Sequence, residues 1–153
     1  MKVQWRKLIV CIAIPLAVGG LSAALTSGAM QSFESINKPA FSPPGWLFPV
    51  VWTILYILMG IASYLVLVSG EPKGTALATY GIQLFFNFMW SIIFFNFNLY
   101  LFAFIWLVIL WVLIFATTVQ FYRISKPAGY LMLPYLFWVA FAGYLNYMIY
   151  LLN

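Results

Sequence analysis

Apolar residues gather in five long runs, and the polar residues, glycines and prolines between them mark short connections. The runs cover 8–26, 46–68, 76–95, 99–121 and 128–152. Each is close to or above the roughly 20 residues that a helix needs to cross a bilayer's hydrocarbon core. Every Lys, Arg and Glu lies between the runs or at their margins. The pattern predicts an all-α membrane protein: a five-transmembrane-helix bundle, one domain over 1–153, with a single longer connector at 27–45.

Polar residues inside the runs are few and ordered. In the third run Tyr80, Gln83, Asn87, Trp90, Ser91 and Phe94 recur at steps of three and four, which puts them on one helical face. A carboxamide in hydrocarbon is costly without a partner, so this face must turn inward. It can serve as interhelical glue or as the wall of a ligand site, and the two roles are compatible. Matching faces stand in the second run (Trp52, Tyr56, Met59, Ser63) and in the fifth (Tyr135, Trp138, Ala142, Asn146, with Pro134 beside them). Indoles, phenols and a few amides around a common hollow suit a flat, largely apolar ligand with some polar edges. Trp106 and Trp111 lie deep in a run with few polar residues and are expected to face lipid.

Composition agrees with a bilayer as solvent. Of 153 residues, 66% are hydrophobic and 6% charged, with a mean hydropathy of +1.05. A soluble domain carries about 25% charged residues, so this chain lacks the polar surface to cover itself in water. With five spans, Lys2, Arg6, Lys7, Lys73, Arg123 and Lys126 share one side, and Lys38 alone lies on the other. The positive-inside rule then puts the N-terminus in the cytoplasm and the connector and C-terminus outside, in a cell (plasma) membrane. The net charge of +5 is a topology signal and gives no nucleic-acid footprint. Residues 1–29 also have the parts of a cleavable signal peptide, but their apolar run is longer than a usual signal core, which favours a retained first helix.

The missing residue types exclude most chemistry. There is no His and no Asp, and the two acids, Glu34 and Glu71, sit in loops. That removes Ser-His-Asp hydrolysis, His-ligated metal and paired-carboxylate mechanisms, and leaves no acidic relay within a span. No metal site and no required cofactor are expected. The single cysteine, Cys11, allows no internal disulfide. In the connector, Ser42-Pro43-Pro44 reads as a helix start, a cap residue before proline. Pro39, Pro43 and Pro44 also stiffen the end of the connector, and local sequence leaves open whether they make a lid over the bundle or only a helix start.

Three motifs carry a family resemblance. Lys38-Pro39, Pro43-Pro44-Gly45, Pro49, Val51-Trp52 and Tyr56 resemble the signature "KPxWxPP…PVWxxLY" of the TspO/MBR family, the tryptophan-rich sensory and translocator proteins. Gln83-Leu84, Asn87, Trp90 and Phe94-Phe95 resemble its "QLxxNxxWxxxFF", and Pro134-Tyr135, Trp138, Phe141-Ala142 and Leu145-Asn146-Tyr147 resemble its "PYLxWxxFAxxLNY". The resemblance implies a membrane receptor, often a homodimer, whose pocket among the helices is closed by the first loop. Its ligands would be porphyrins such as protoporphyrin IX and haem, with sterols and benzodiazepine-like drugs in animal relatives. By matched position, Trp52, Tyr56, Gln83, Asn87, Trp90, Tyr135, Trp138, Ala142 and Asn146 would line the site, with Phe41, Pro43 and Pro44 in the lid. It also implies an alternative, light-dependent porphyrin breakdown, for which Trp52 and Trp138 are the weak candidates. The loop tryptophan credited in that chemistry is Ser32 or Phe41 here, a departure that weakens the enzymatic reading. The animal sterol motif lacks its basic residue after Tyr147. A third alternative is a transport or scaffold subunit with no ligand of its own.

Overall fold

In the computed structural model, which describes residues 2–29, 34–40 and 42–153, five long helices make up most of the described residues. They are α1 (Trp5–Thr26), α2 (Leu47–Leu67), α3 (Gly74–Ser91), α4 (Tyr100–Ile124) and α5 (Lys126–Leu152). A 3₁₀ turn, Ser27–Ala29, lengthens α1, and a π turn, Ile92–Asn96, lengthens α3. All five are long and apolar enough to cross a membrane. No strand occurs among the described residues.

The helices overrun the apolar stretches by two to three residues at several ends because hydrogen bonding does not stop where hydrocarbon does. α5 begins at Lys126, with Pro127 in the first turn, where its missing N–H costs nothing. α2 begins later than its prolines imply. The Leu47 amide donates to the Pro44 carbonyl at 3.0 Å, so Pro43 and Pro44 shape a turn that enters the helix at Leu47. Ser42 does not cap α2, and its hydroxyl is buried without a partner. Phe41, Ser32 and Phe33 lie outside the described residues.

Neighbouring helices form a ring in the order α1, α2, α5, α4, α3 and back to α1. α4 shows how such a ring is encoded. Its buried residues Ala103, Leu107, Leu110, Ile114, Thr117 and Phe121 repeat at three and four, while Phe102, Ile105, Val108, Ile109, Val112 and Phe115 point outward. Exposed large apolar side chains are what a lipid solvent requires, and they cover every helix. Close crossings rely on missing side chains. A Cβ on Gly60 of α2 would lie 2.6 Å from the Ile12 Cα and 2.7 Å from the Cys11 carbonyl oxygen of α1, so α1 and α2 approach backbone to backbone.

Two ends result. Lys2, Arg6, Lys7, Lys73, Arg123 and Lys126 cluster in sequence around the starts of α1, α3 and α5, the basic end. The connector crosses the opposite end, where α1, α3 and α5 finish.

Candidate functional site

The inward faces of α2, α3 and α5 meet in one continuous hydrogen-bonded network. The Tyr56 hydroxyl donates to Asn87 Oδ1 at 2.9 Å. Asn87 Nδ2 donates to the Tyr135 hydroxyl oxygen at 2.7 Å, and that hydroxyl donates onward to Gln83 Oε1 at 2.6 Å. Gln83, Asn87 and Tyr135 are 0, 2 and 1% exposed. Spacing explains the arrangement: Gln83 and Asn87 stand one turn apart on α3, so both carboxamides reach the same phenol on α5. Trp52 stacks on Tyr56 at 5.6 Å between ring centres and meets Tyr135 edge-on at 6.2 Å.

A second network lies one turn closer to the connector. Trp90 Nε1 donates to Asn146 Oδ1 at 3.0 Å, and Asn146 Nδ2 donates to the Tyr100 carbonyl at 2.9 Å. This joins α3, α5 and the start of α4. The π turn after Ser91 widens the helix beside it, buries Ile93 and Phe94, and sets Phe94 against both Trp90 and Tyr100 at 5.4 and 5.0 Å. Such turns are common where a helix is adapted to a site.

Trp138 stands apart from both networks. It is half-buried, with Phe48 at 5.8 Å and Phe141 at 5.5 Å, and its indole N–H is buried without an acceptor. Ala142 is buried one turn farther along α5. Thus Trp52, Tyr56, Gln83, Asn87 and Tyr135 are brought together, Trp90 and Asn146 form a neighbouring pair, and Trp138 makes its ring contacts outside both, with Phe48 and Phe141.

The expected hollow is filled by these side chains themselves. Two open concavities lie toward the lipid side: a groove of about 340 Å3 between α4 and α5, and one of about 400 Å3 between α2 and α5. Of the expected site residues only Trp138 reaches either, with Pro134 and Phe141 in the second groove. Within the core, Gln83 Nε2 is a donor with no acceptor, as is Trp138 Nε1. Unpaired buried donors are rare in folded proteins because each forfeits its hydration. The site therefore offers donors, aromatic faces and no acid or base. Among the described residues no cluster of three metal-ligating side chains occurs.

Trp106 and Trp111, expected to face lipid, stand between lipid and core. Both are half-buried, and each indole N–H is bound across a helix interface, Trp106 to the Phe86 carbonyl at 2.8 Å and Trp111 to the Leu136 carbonyl at 3.0 Å. Trp106 also stacks on Phe86 at 4.3 Å. A backbone carbonyl carries no residue-specific signal, so these acceptors were invisible in the sequence. The Tyr100 carbonyl was missed for the same reason, and Phe48 because its ring contact with Trp138 depends on how α2 and α5 pack.

Comparison with known proteins gives a consistent picture. The TspO/MBR family matches residues 11–152. The chain is 42% identical to the tryptophan-rich protein TspO of Chlorobaculum tepidum, covering 100% of the chain and 99% of that protein. It is 40% identical to the tryptophan-rich protein TspO of Archaeoglobus fulgidus, over 96% of the chain and 97% of the relative. It is 33% identical to the translocator protein of Bos taurus, over 96% of the chain and 90% of the relative.

Proposed function

The chain belongs to the TspO/MBR family of membrane proteins, and from that premise we propose that it is a receptor for porphyrins such as protoporphyrin IX and haem. The ligand would lie among α2, α3 and α5. The observation that carries the reading is two buried donors without acceptors on the inward faces, Gln83 Nε2 in the network that the rings of Tyr56 and Tyr135 share with Trp52, and Trp138 Nε1 one turn from Tyr135 on α5. A flat macrocycle supplies what that arrangement lacks: acceptor groups at its edge and a wide π face. Each aromatic stack adds about 0.5–1.5 kcal/mol beyond area burial. Because Gln83, Asn87 and Tyr135 bond to one another here, binding requires α3 and α5 to part and the network to re-pair around the ligand. Sterols and benzodiazepine-like drugs are secondary candidates for the same apolar site. We place the basic end in the cytoplasm of a plasma-membrane protein, paired with a second copy.

Porphyrin titration of the purified protein should quench tryptophan fluorescence with saturation. Trp138→Phe and Gln83→Leu should each weaken binding by about tenfold, the worth of one hydrogen bond. Unchanged affinity in both would remove the proposed site.

A second reading, light-dependent porphyrin breakdown, draws on the contact of Trp52 with two phenols. The same titration under light and oxygen distinguishes it. New absorption bands that vanish in Trp52→Phe would assign the enzyme. No porphyrin effect on thermal stability at all would leave a scaffold subunit.

A further inference from the structure

No side chain of α1 takes part in either network, yet the backbone of α1 is the wall against which the first one is built. The two helices α1 and α2 come close at two points. At Gly60 their backbones meet, opposite Cys11 and Ile12. Pro15 has no N–H to give the Cys11 carbonyl, so α1 turns a carbonyl without its helical bond toward that crossing. Two turns farther along α1 stands Gly19, and its neighbour is the ring of Tyr56, one turn from Gly60 on α2. A Cβ on Gly19 would lie 2.3 Å from Tyr56 Cε2, 2.7 Å from Cδ2 and 3.0 Å from Cζ, the carbon that bears the hydroxyl. At Gly20, the next residue, nothing lies within 4 Å of the same point.

The Tyr56 ring is held by its other neighbours as well. Trp52 stacks on it at 5.6 Å, the hydroxyl donates to Asn87 Oδ1 at 2.9 Å, and the residue is buried. To clear a methyl group at position 19 to ordinary contact, about 3.5 Å or more, the ring must move by about 1 Å. A shift of that size takes the hydroxyl out of its bond to Asn87, because hydrogen bonds fail within a few tenths of an ångström beyond their usual length. We propose that Gly19 is a positioning residue of the site: its missing side chain seats the Tyr56 ring against α1, and so aims the hydroxyl at Asn87 and the ring face at Trp52. The first helix thus shapes the network through what it lacks. The seating stands on geometry, whereas its consequence for a ligand rests on the receptor reading given above.

Nuclear magnetic resonance of the ligand-free protein, isotope-labelled at asparagine, tests the seating. The side-chain amide of Asn87, identified by its loss in Asn87→Ala, reports the bond from Tyr56. Gly19→Ala should shift that signal as Tyr56→Phe does, and Gly20→Ala should leave it in place. In a Tyr56→Val background, whose side chain ends before the atoms that meet Gly19, Gly19→Ala should cost no thermal stability. An Asn87 signal unmoved in Gly19→Ala would overturn the proposal. So would an equal loss of stability from Gly19→Ala with and without the Tyr56 ring, which marks plain packing of α1. Should Gly19→Ala alone fail to fold, a folded Gly19→Ala, Tyr56→Val pair would uphold the seating, and an unfolded pair beside a folded Tyr56→Val would overturn it. Protoporphyrin IX then tests the consequence. Gly19→Ala and Tyr56→Phe should each weaken its binding by about tenfold, and wild-type affinity in Gly19→Ala would take Gly19 out of the site. If the Asn87 signal responds as expected and the wild-type protein binds no porphyrin, the seating stands and the receptor reading falls.

Discussion

The Tyr135 hydroxyl accepts from Asn87 and donates to Gln83, so a single phenol on α5 bridges two carboxamides of α3. Its two bonds, 2.7 and 2.6 Å, are the reason these amides can be buried in a membrane bundle. Tyr56, by contrast, only donates, to an amide that Tyr135 also holds.

That asymmetry predicts an order of stability. Tyr135→Phe strands one end of Asn87 and one end of Gln83, and should destabilise the protein by about 1–3 kcal/mol. Tyr56→Phe leaves Asn87 attached to Tyr135 and should cost about 0.6 kcal/mol, the average for an interhelical bond in a membrane. Thermal unfolding in one detergent checks the ranking. Equal losses in the two variants would mean that Tyr135 has no special place in the network.

The glycines of α1 and α2 lead to a sharper contrast. A methyl group on Gly60 collides with the α1 backbone, which cannot rotate away as a side chain can. Gly60→Ala should therefore push α1 off α2 and destabilise by about 1–3 kcal/mol, as overpacking does. Around Gly20 the space is open, with no neighbouring atom within 4 Å of where a methyl group would sit. Gly20→Ala should be neutral or slightly stabilising through its better helix propensity. Melting temperatures of the two variants decide this.

The fold was legible in the sequence because a bilayer leaves few options: apolar runs of span length, with charges at their margins, become helices. The inward faces were legible for a related reason. Gln83, Asn87 and Asn146 cannot face lipid unpaired, and the periodicity of α2, α3 and α5 then fixes which residues accompany them. Register between helices was not legible. Nothing in the sequence says that Asn87 meets Tyr56 and Tyr135 while Trp90 meets Asn146, so one expected wall is two networks. The filled interior was not legible either, since pattern gives direction but not volume. Indoles were the hardest to place. Trp106 and Trp111 have carbonyl partners that any residue supplies, and Trp138, with the same apolar surroundings, has none.

One bonded indole and one unbonded indole give a prediction of their own. Trp106→Phe keeps the stacking on Phe86 but loses the bond to its carbonyl, and should cost about 1 kcal/mol. Trp138→Phe removes a buried donor that has no acceptor, and should be neutral or mildly stabilising in the ligand-free protein. If Trp138→Phe proved as destabilising as Trp106→Phe, its indole N–H would have a partner in solution. Together with weakened porphyrin binding, a stability gain in Trp138→Phe would mark a residue kept for a ligand at the expense of the fold.

Topology supplies the last test. The basic residues at the starts of α1, α3 and α5 should hold one end in the cytoplasm, each Lys or Arg being costly to translocate. In a Cys11→Ser background, Lys73→Cys should react with a membrane-impermeant maleimide only after the membrane is opened, and Ser35→Cys should react in intact cells. Labelling of Lys73→Cys from outside would invert the protein and turn the connector toward the cytoplasm. The bundle itself would survive that inversion, because its networks depend on which helix faces meet and not on which side of the membrane each end lies. What would change is the compartment that the connector end of the bundle faces.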